Sequence, residues 1–382
     1  MGTQTTLERP LSIGMIGLRG IPATYGGVEA AVEGLSAELV RRGHSVTVYG
    51  RSAYCEPELS EYRGVKLRPL PQINTKHLEA VSHTLVASAV AVAQGMHDVL
   101  HLHATGPAMF SVIPRLARIA CVATVQGLDW RREKWGPLAS RVLRLGAFAA
   151  ATVPHETIVV SRSLERELRE QCSSCDPTYI PNGIDQSKLR GGRPVAGLAP
   201  GNFILFLGRL VPEKGVHTLI EAYGRLDTAT PLVIAGPDSH SSDYVEELRE
   251  RASRDRRVQM VGPRYGEEKT WLLQNASMFV QPSTVEGLPI ALLEAIACGR
   301  FTVVSDIPEN TEVISRDGHR HGLVFRTGDV GDLTAQLAQA LGNPHRQEEG
   351  VECRRDVLSE YAWPRVAADT ERVYQRALAR SS

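Results

Sequence analysis

The sequence predicts an α/β protein of two tandem parallel-sheet domains that face a cleft. Three observations carry this expectation. Apolar strand-like runs alternate with helix-spaced segments along most of the chain, the pattern of a parallel sheet covered on both faces. A Gly- and Pro-rich stretch interrupts the alternation near the middle, after which it starts again. The 382 residues, 42% of them apolar, suffice for two hydrophobic cores.

Taken in order, residues 1–10 are polar and read as a disordered tail. Ser12–Leu18 reads as the first strand. Val28–Arg42 reads as an amphipathic helix, with Val28, Ala31, Val32, Leu35 and Leu39 on one face and Gly43 at its end. Strands follow at Ser45–Tyr49, Val99–His103, Val122–Val125 and Thr157–Ser161. These make a first domain over residues 11–183. The alternation breaks at Pro181-Asn182-Gly183, and residues 184–201, with Gly191, Gly192, Pro194, Pro200 and Gly201, read as a linker. A second domain over residues 202–358 has strands near Phe203–Leu207, Pro231–Ala235, Val258–Val261, Met278–Gln281 and Thr302–Ser305. Residues 359–382 hold a helix expected to cross back to the first domain. Open parallel sheets bind ligands beyond the carboxyl ends of their strands, so the expected site is the cleft.

Composition narrows the function classes. Acidic and basic residues balance to a net charge of +0, which argues against nucleic acid as the partner, since phosphate-backbone binding draws on a cationic excess. No apolar run reaches the ~20 residues of a membrane span, and the first residues lack the plan of a signal peptide. The expected location is the cytoplasm, with peripheral membrane contact left open. Of six cysteines, Cys121 and Cys298 read as small core residues. Cys172 and Cys175 form a C-x-x-C with no second ligand pair, so they read as free thiols in a surface loop rather than a zinc site.

Three segments at strand ends carry candidate chemistry. The first, Gly20-Ile21-Pro22-Ala23-Thr24-Tyr25-Gly26-Gly27, lies between a strand and a helix N-terminus. There glycines permit close backbone approach, and free N–H groups suit phosphate. A tight turn without a ligand explains it equally well. It lacks the G-x-G-x-x-G spacing of a dinucleotide site, and the second strand ends in Gly50-Arg51 rather than an acid, which disfavours a dehydrogenase. The second, Gly208–Gly215, places Arg209 and Lys214 after a strand. A guanidinium can grip phosphate oxygens through two N–H groups while an ammonium acts as a point charge. The competing explanation is a solvated loop with a local Lys–Glu pair. The third, Glu286-Gly287-Leu288-Pro289-Ile290-Ala291-Leu292-Leu293-Glu294, follows an apolar strand and has Pro289 where a first helical turn tolerates it. With a helix starting near Gly287, the two carboxylates would stand about 12 Å apart along it and about 80° apart around it. The apolar run between them implies a buried helix, so Glu294 is expected to have a buried partner; two exposed glutamates are the simpler alternative.

Together these stretches resemble the retaining glycosyltransferases of the GT-B fold, two Rossmann-like domains, in the large family whose signature is E-x7-E. Glu286 to Glu294 is similar to that signature, and Gly208–Gly215 is similar to the family's G-R-x-x-x-x-K-G loop. The opening glycine segment and Gly127-Leu128-Asp129-Trp130 resemble a bacterial subgroup of surface-glycan and polysaccharide assembly.

The resemblance implies roles. Arg209 and Lys214 would hold the donor diphosphate together with the backbone at Gly287, Leu288, Pro289 and Ile290. Glu294 would bind the ribose and Glu286 the donor sugar. Gly26 and Gly27 would line the phosphate pocket from the first domain, and Gly262, Pro263 and Arg264 would meet the base. His103, Gln126, Asp129 and Trp130 are the acceptor-side candidates. Many relatives carry a His where this chain has Gln126, so a side-chain base at that point is in doubt. No D-x-D occurs, and neither metal nor cofactor is expected.

The implied function is a metal-independent, retaining hexosyltransferase. It would move a sugar from a nucleotide-diphosphate donor to a hydroxyl acceptor by front-side displacement, the acceptor being a glycan, a lipid-linked sugar or a small molecule. A catalytically silent nucleotide-sugar scaffold and a sugar-nucleotide epimerase are the alternatives. The basic, aromatic stretch Trp130–Trp135, with Arg141 and Arg144, would suit an anionic membrane surface, a stacked sugar or an ordinary solvated helix.

Overall fold

Uniformly apolar strand sequences become uniformly buried strands in the computed structural model, which describes residues 9–23, 26–73, 75, 78–127, 146–172, 175–238, 242–316 and 319–381. The chain divides into two units, one of Met1–Gly183 with Trp363–Ser382 and the other of Ile184–Ala362.

In the first unit the elements are β1 (Ser12–Ile16), α1 (Gly27–Arg41), β2 (Ser45–Arg51), β3 (Glu61–Tyr62), β4 (Val65–Leu70), α2 (Glu79–Gln94), β5 (Val99–His103), β6 (Ala120–Val125), β7 (Glu156–Val159) and β8 (Thr178–Tyr179). The sheet order is β3-β4-β2-β1-β5-β6-β7-β8. Its pairs are parallel except β3 with β4. β5, β6 and β7 are buried along their whole length, as a sheet covered on both faces requires. β1 ends at Ile16 because Gly17 turns the chain with φ +106°, and a Cβ there would lie 2.4 Å from the His103 carbonyl oxygen.

The helix Trp363–Ser381 completes this unit's core. Trp363, Val366, Ala367, Val373, Tyr374 and Ala377 join the cluster built by Val32, Leu39, Val46 and Val122. The Trp363 ring fills the space beside two glycines: a Cβ on Gly34 or Gly183 would stand 2.3 or 2.4 Å from it. Glu371 ties the helix down by accepting from Arg42 Nε and Nη2, each at 2.6 Å, and pairing with His44 Nε2 at 2.9 Å.

The second unit holds β9 (Ile204–Leu207), β10 (Leu232–Ala235), β11 (Val258–Gly262), β12 (Met278–Gln281), β13 (Phe301–Ser305), the hairpin β14 (Ser315–Arg316) and β15 (His319–Arg320), and β16 (Leu323–Phe325). Its main sheet runs β11-β10-β9-β12-β13-β16, all parallel. Residues 184–201 pack within this unit. The Lys188 carbonyl accepts from Thr270 Oγ1 at 2.9 Å, the Leu189 carbonyl from Gln274 Nε2 at 2.6 Å, and Arg193 N–H donates to the Glu267 carbonyl at 3.2 Å.

One local expectation is corrected. Cys172 and Cys175 are joined as a disulfide, Cα–Cα 5.4 Å, and both are buried, so they are not free thiols on a surface loop. The helix Arg162–Gln171, capped by Ser161 Oγ accepting from Leu164 N–H, ends beside Cys172.

Candidate active site

The second sheet reverses its winding between β9 and β12. In an open α/β sheet the loops on either side of such a point emerge together at the carboxyl ends, where ligands bind. The loop after β9 is Gly208–Gly215, and the loop after β12 runs from Pro282 to Pro289. Their backbones touch: Thr284 N–H donates to the Glu213 carbonyl at 2.9 Å. Gly215, with φ +67°, comes so close that a Cβ would lie 2.1 Å from the Pro282 carbonyl oxygen. The neighbouring loops add to this packing. Leu210 N–H donates to Pro237, Gly236 N–H to Gly262, and a Cβ on Gly236 would lie 1.7 Å from the Gly208 carbonyl oxygen.

This packing brings Lys214 Nζ to 2.5 Å from Glu286 Oε1. Gln281 Nε2 and Ser283 Oγ donate to the same oxygen, each at 2.6 Å. Burial alone would raise the Glu286 pKa, but the Lys214 charge and these three hydrogen bonds outweigh it and hold the carboxyl below its ordinary range. All three donors converge on Oε1, and among the described residues none reaches Oε2. A buried network continues behind. Ser305 Oγ donates to the Ser283 carbonyl at 2.5 Å, and Asn310 Nδ2 donates to Ser305 Oγ at 2.8 Å.

Glu294 lies on the helix Ile290–Ala297, whose buried face is Leu292, Leu293, Ala295, Ile296 and Ala297. Its partner is Lys269, at 2.7 Å. The helix starts three residues later than the sequence predicts, with Pro289 as the flanking residue. Glu286 therefore lies in the loop and not on the helix, and the separation expected for two carboxylates on one helix does not apply. Freed from helical geometry, Glu286 folds back onto Lys214. Arg209 is half-buried after β9; Gly262 ends β11 and Pro263 and Arg264 follow it, with Arg264 Nη1 3.3 Å from Glu268. Arg209, Lys214, Glu286 and the segment Gly287–Ile290 thus share one end of this sheet.

The first unit has the same kind of switch point, between β1 and β5. At the N-terminus of α1, Gly26 and Gly27 are exposed, while Thr24 and Tyr25 lie outside the described residues. Two carboxylates of α1 already take N–H groups of this loop. Glu29 Oε1 accepts from Arg19 N–H at 3.2 Å, and Glu33 Oε2 accepts from Ala23 N–H at 2.6 Å. An anion arriving here would meet negative charge as well as the helix dipole.

His103 is buried at the end of β5, its Nε2 3.4 Å from Met15 Sδ and its ring 4.1 Å from the His101 ring. Burial pushes its pKa down to about 3, so it stands as a neutral imidazole. Its Nδ1 has no hydrogen-bond partner among the described residues. Gln126 Oε1 accepts from Asn182 Nδ2 at 2.9 Å. His103, Gln126, Asn182 and Thr124 line one small cavity together with Trp363 and Thr370. Asp129 and Trp130 lie outside the described residues.

Sequence reasoning missed Lys269, Gln281 and Ser283, which hold the two glutamates, Asn310, which backs Ser283 through Ser305, and Glu29 and Glu33, which hold the first glycine loop. Glu29 and Glu33 did carry a signal, being acids one turn apart at a helix start.

Two family models match successive parts of the chain: "Glycosyltransferase Family 4" over residues 25–188 and "Glycosyl transferases group 1" over residues 196–356. The chain is a GT-B glycosyltransferase, family 4-like. This glycosyltransferase is 28% identical over 389 residues to the alpha-maltose-1-phosphate synthase of Mycobacterium tuberculosis, covering 94% of the chain and 97% of that relative. In fold it is similar to a sucrose-phosphate synthase from Thermosynechococcus elongatus, with a TM-score of 0.82 and 20% identity over 97% of the chain and 99% of that structure. It is also similar to Anabaena HepE, solved in complex with UDP and glucose, with a TM-score of 0.79 and 17% identity over 96% of the chain and 99% of that structure. Both units of the glycosyltransferase carry the parallel α/β sheets of the GT-B fold.

Proposed function

We propose that this glycosyltransferase moves a hexosyl unit from a nucleotide-diphosphate sugar to a hydroxyl acceptor, with retention of configuration and without a resident metal ion. The observation that carries the reading is the meeting of Lys214 with Glu286 at the switch point of the second sheet. One loop supplies fixed positive charge, the other a carboxylate with an oxygen to spare, and both open toward the N-terminus of the helix Ile290–Ala297. HepE was solved with UDP and glucose, and a nucleotide sugar fits the same chemistry here.

In this mechanism Arg209, Lys214 and the N–H groups at Leu288 and Ile290 hold the diphosphate, while Pro289 contributes only shape. Glu294 takes ribose hydroxyls and Glu286 Oε2 accepts from a sugar hydroxyl. The bond from C1 to the phosphate oxygen breaks, and its electron pair goes to the leaving diphosphate. The acceptor oxygen bonds to C1 on the same face, and its proton passes to a phosphate oxygen. Charge placed where the leaving group develops it is usually the largest catalytic contribution. No side-chain base is needed, which accommodates Gln126 and a buried, neutral His103. Glu286 and a donor diphosphate would compete for the Lys214 ammonium. Surface-glycan or polysaccharide assembly in the cytoplasm is the setting this reading favours.

The test is thermal stabilisation by UDP, GDP, dTDP and ADP and their sugars, followed by donor turnover in the wild type and in Arg209→Ala. A ligand at 100 times its Kd adds about 2.7 kcal/mol. Stabilisation by one nucleotide family, with turnover lost in Arg209→Ala, is expected; the product anomer and insensitivity to chelator then check retention and metal independence. Binding without donor hydrolysis or transfer would turn the reading to a silent nucleotide-sugar scaffold. Undiminished turnover in Arg209→Ala would refute the diphosphate assignment.

A further inference from the structure

One cation beside the candidate site is fixed in place without being used up. β11 ends at Gly262, and Pro263 and Arg264 lead into the helix Gly266–Asn275. Gly262, with φ +73°, and Gly266, with φ +53°, bracket this loop, and a Cβ on either would meet no atom within 4 Å. Arg264 is held from one turn further on, its Nη1 donating to Glu268 Oε2 at 3.3 Å. Glu268 Oε1 accepts from Arg193 Nη2 at 3.1 Å, so one carboxylate is shared between two guanidinium groups. Arg193 is itself anchored. Its N–H donates to the Glu267 carbonyl at 3.2 Å, and a Cβ on the preceding Gly192 would stand 3.1 Å from Trp271 Cα. The Arg264 Nε is buried and has no hydrogen-bond partner among the described residues. The next residue on the helix after Glu268, Lys269, spends its charge on Glu294 at 2.7 Å.

We infer that Arg264 reads the nucleobase of the donor and selects one with an exocyclic oxygen at the reading edge (uracil, thymine or guanine) over the amino bases adenine and cytosine. The inference rests on the donor reading proposed above, in which Glu294 takes the ribose. The base is joined to C1′, the ring atom next to the one bearing the 2′-hydroxyl, so it lies beside the ribose. Glu294 and Arg264 are held by consecutive residues of one helix, Lys269 and Glu268, and Arg264 stands at the carboxyl end of its strand, where open α/β sheets bind ligands. A guanidinium only donates hydrogen bonds and keeps its proton at any working pH. Against O4 of uracil or thymine, or O6 and N7 of guanine, it meets acceptors. Against N4 of cytosine or N6 of adenine it sets donor against donor, and a desolvated donor left unpaired is costly. Glu268, a carboxylate that could receive an amino group, is already engaged by both arginines. Glu267, exposed at the start of the helix, is the nearby acid that would favour an amino base, and the preference between the two kinds of base decides which side chain reads.

The experiment is isothermal titration calorimetry of the full chain with two matched pairs of nucleotides, IDP with ADP and UDP with CDP. Each pair exchanges the exocyclic oxygen for an amino group on one ring system, and IDP presents the O6 and N7 of guanine. The wild type is expected to bind the oxygen-bearing member of at least one pair about tenfold or more tighter than its amino partner. Arg264→Ala should weaken that nucleotide until the pair agrees within about threefold, with the amino partner unchanged. Arg264→Gln, which offers an oxygen as well as an amide N–H, should improve ADP relative to IDP. Arg209→Ala should weaken all four alike, because it acts on the diphosphate. Equal affinities within both pairs, or tighter binding of ADP or CDP, overturn the inference and leave the donor reading standing. So does a preference that survives both Arg264 variants, or an equal loss for all four nucleotides in an Arg264 variant that melts like wild type. Folded wild type that binds none of the four overturns both readings.

Discussion

Lys214 Nζ stands 2.5 Å from Glu286 Oε1, and this side-chain contact reinforces the backbone bond from Thr284 N–H to the Glu213 carbonyl in joining the loop after β9 to the loop after β12. Removing the cation leaves a buried carboxylate supported, among the described residues, by Gln281 and Ser283. Lys214→Ala is therefore expected to cost about 3 kcal/mol in urea denaturation at neutral pH and to lower turnover by about a hundredfold or more. Adding Glu286→Gln should restore much of the stability, because the uncompensated charge is gone, but none of the turnover. A double variant as unstable as the single one would separate the pair from the stability of this unit.

Acid should weaken the protein in two stages. His103, with its pKa pushed to about 3 by burial, and His83, pushed to about 4 chiefly by burial, are neutral in the fold and protonate near 6.5 when unfolded. The unfolded chain thus binds more protons below pH 6.5, and each histidine removes up to about 1.4 kcal/mol per pH unit as the pH falls toward its folded value. Glu286 acts lower. Its folded pKa lies below the ordinary 4.5, so its contribution is fully present above 4.5 and is lost as pH falls through the lowered value. Urea midpoints should fall from about pH 6.5 downward and more steeply once Glu286 joins below 4.5, and His103→Asn should make the decline shallower from pH 6.5 to about 3.

Two glycines of the second unit should respond in opposite directions. Gly215→Ala forces a left-handed backbone on alanine and drives its Cβ into the Pro282 carbonyl, so a loss of about 1–2 kcal/mol is expected, with weaker nucleotide binding as the two loops part. Gly224, near the end of the helix Val216–Gly224, has open space around its Cβ position. Gly224→Ala should gain up to about 1 kcal/mol. Differential scanning calorimetry of the two variants reads both signs.

Glu371 is 5% exposed and gathers Arg42 and His44. Glu371→Ala strands both, with an expected cost of about 3 kcal/mol. Amide exchange should then accelerate along Trp363–Ser381 and α1, with little change in the second unit. Uniform acceleration across both units would contradict the local role assigned to this cluster.

How much of this was legible depended on whether a feature was local in sequence. β5 and β12 lie where the sequence predicts them, because unbroken apolar runs announce buried parallel strands. β4 escaped notice: Val65–Leu70 alternates charged and apolar residues, includes Pro69, and pairs with the two-residue strand β3 at the sheet's margin. The helix after β12 was misplaced by three residues because proline suits the first turn and the flanking position alike. In the site, Arg209, Lys214, Glu286 and Glu294 stood out through their spacing. Their supports did not. Lys269 meets Glu294 across 25 residues and Asn310 reaches Ser305 behind Ser283, contacts set by how helices pack and invisible to any local pattern.

The place of Trp363 between Gly34 and Gly183 has a bearing on biosynthesis. A ribosome delivers the chain from its N-terminus, and domains generally fold as units as they emerge. The second unit is one uninterrupted stretch, complete once Ala362 is out. The first unit begins earlier but lacks Trp363, Val366 and Tyr374 from its core until the last residues of the described chain are made. The order of synthesis and the order of completion are therefore reversed. A stalled or truncated product ending near residue 362 would present one finished body attached to one with an open apolar seam, a natural target for chaperones and proteases.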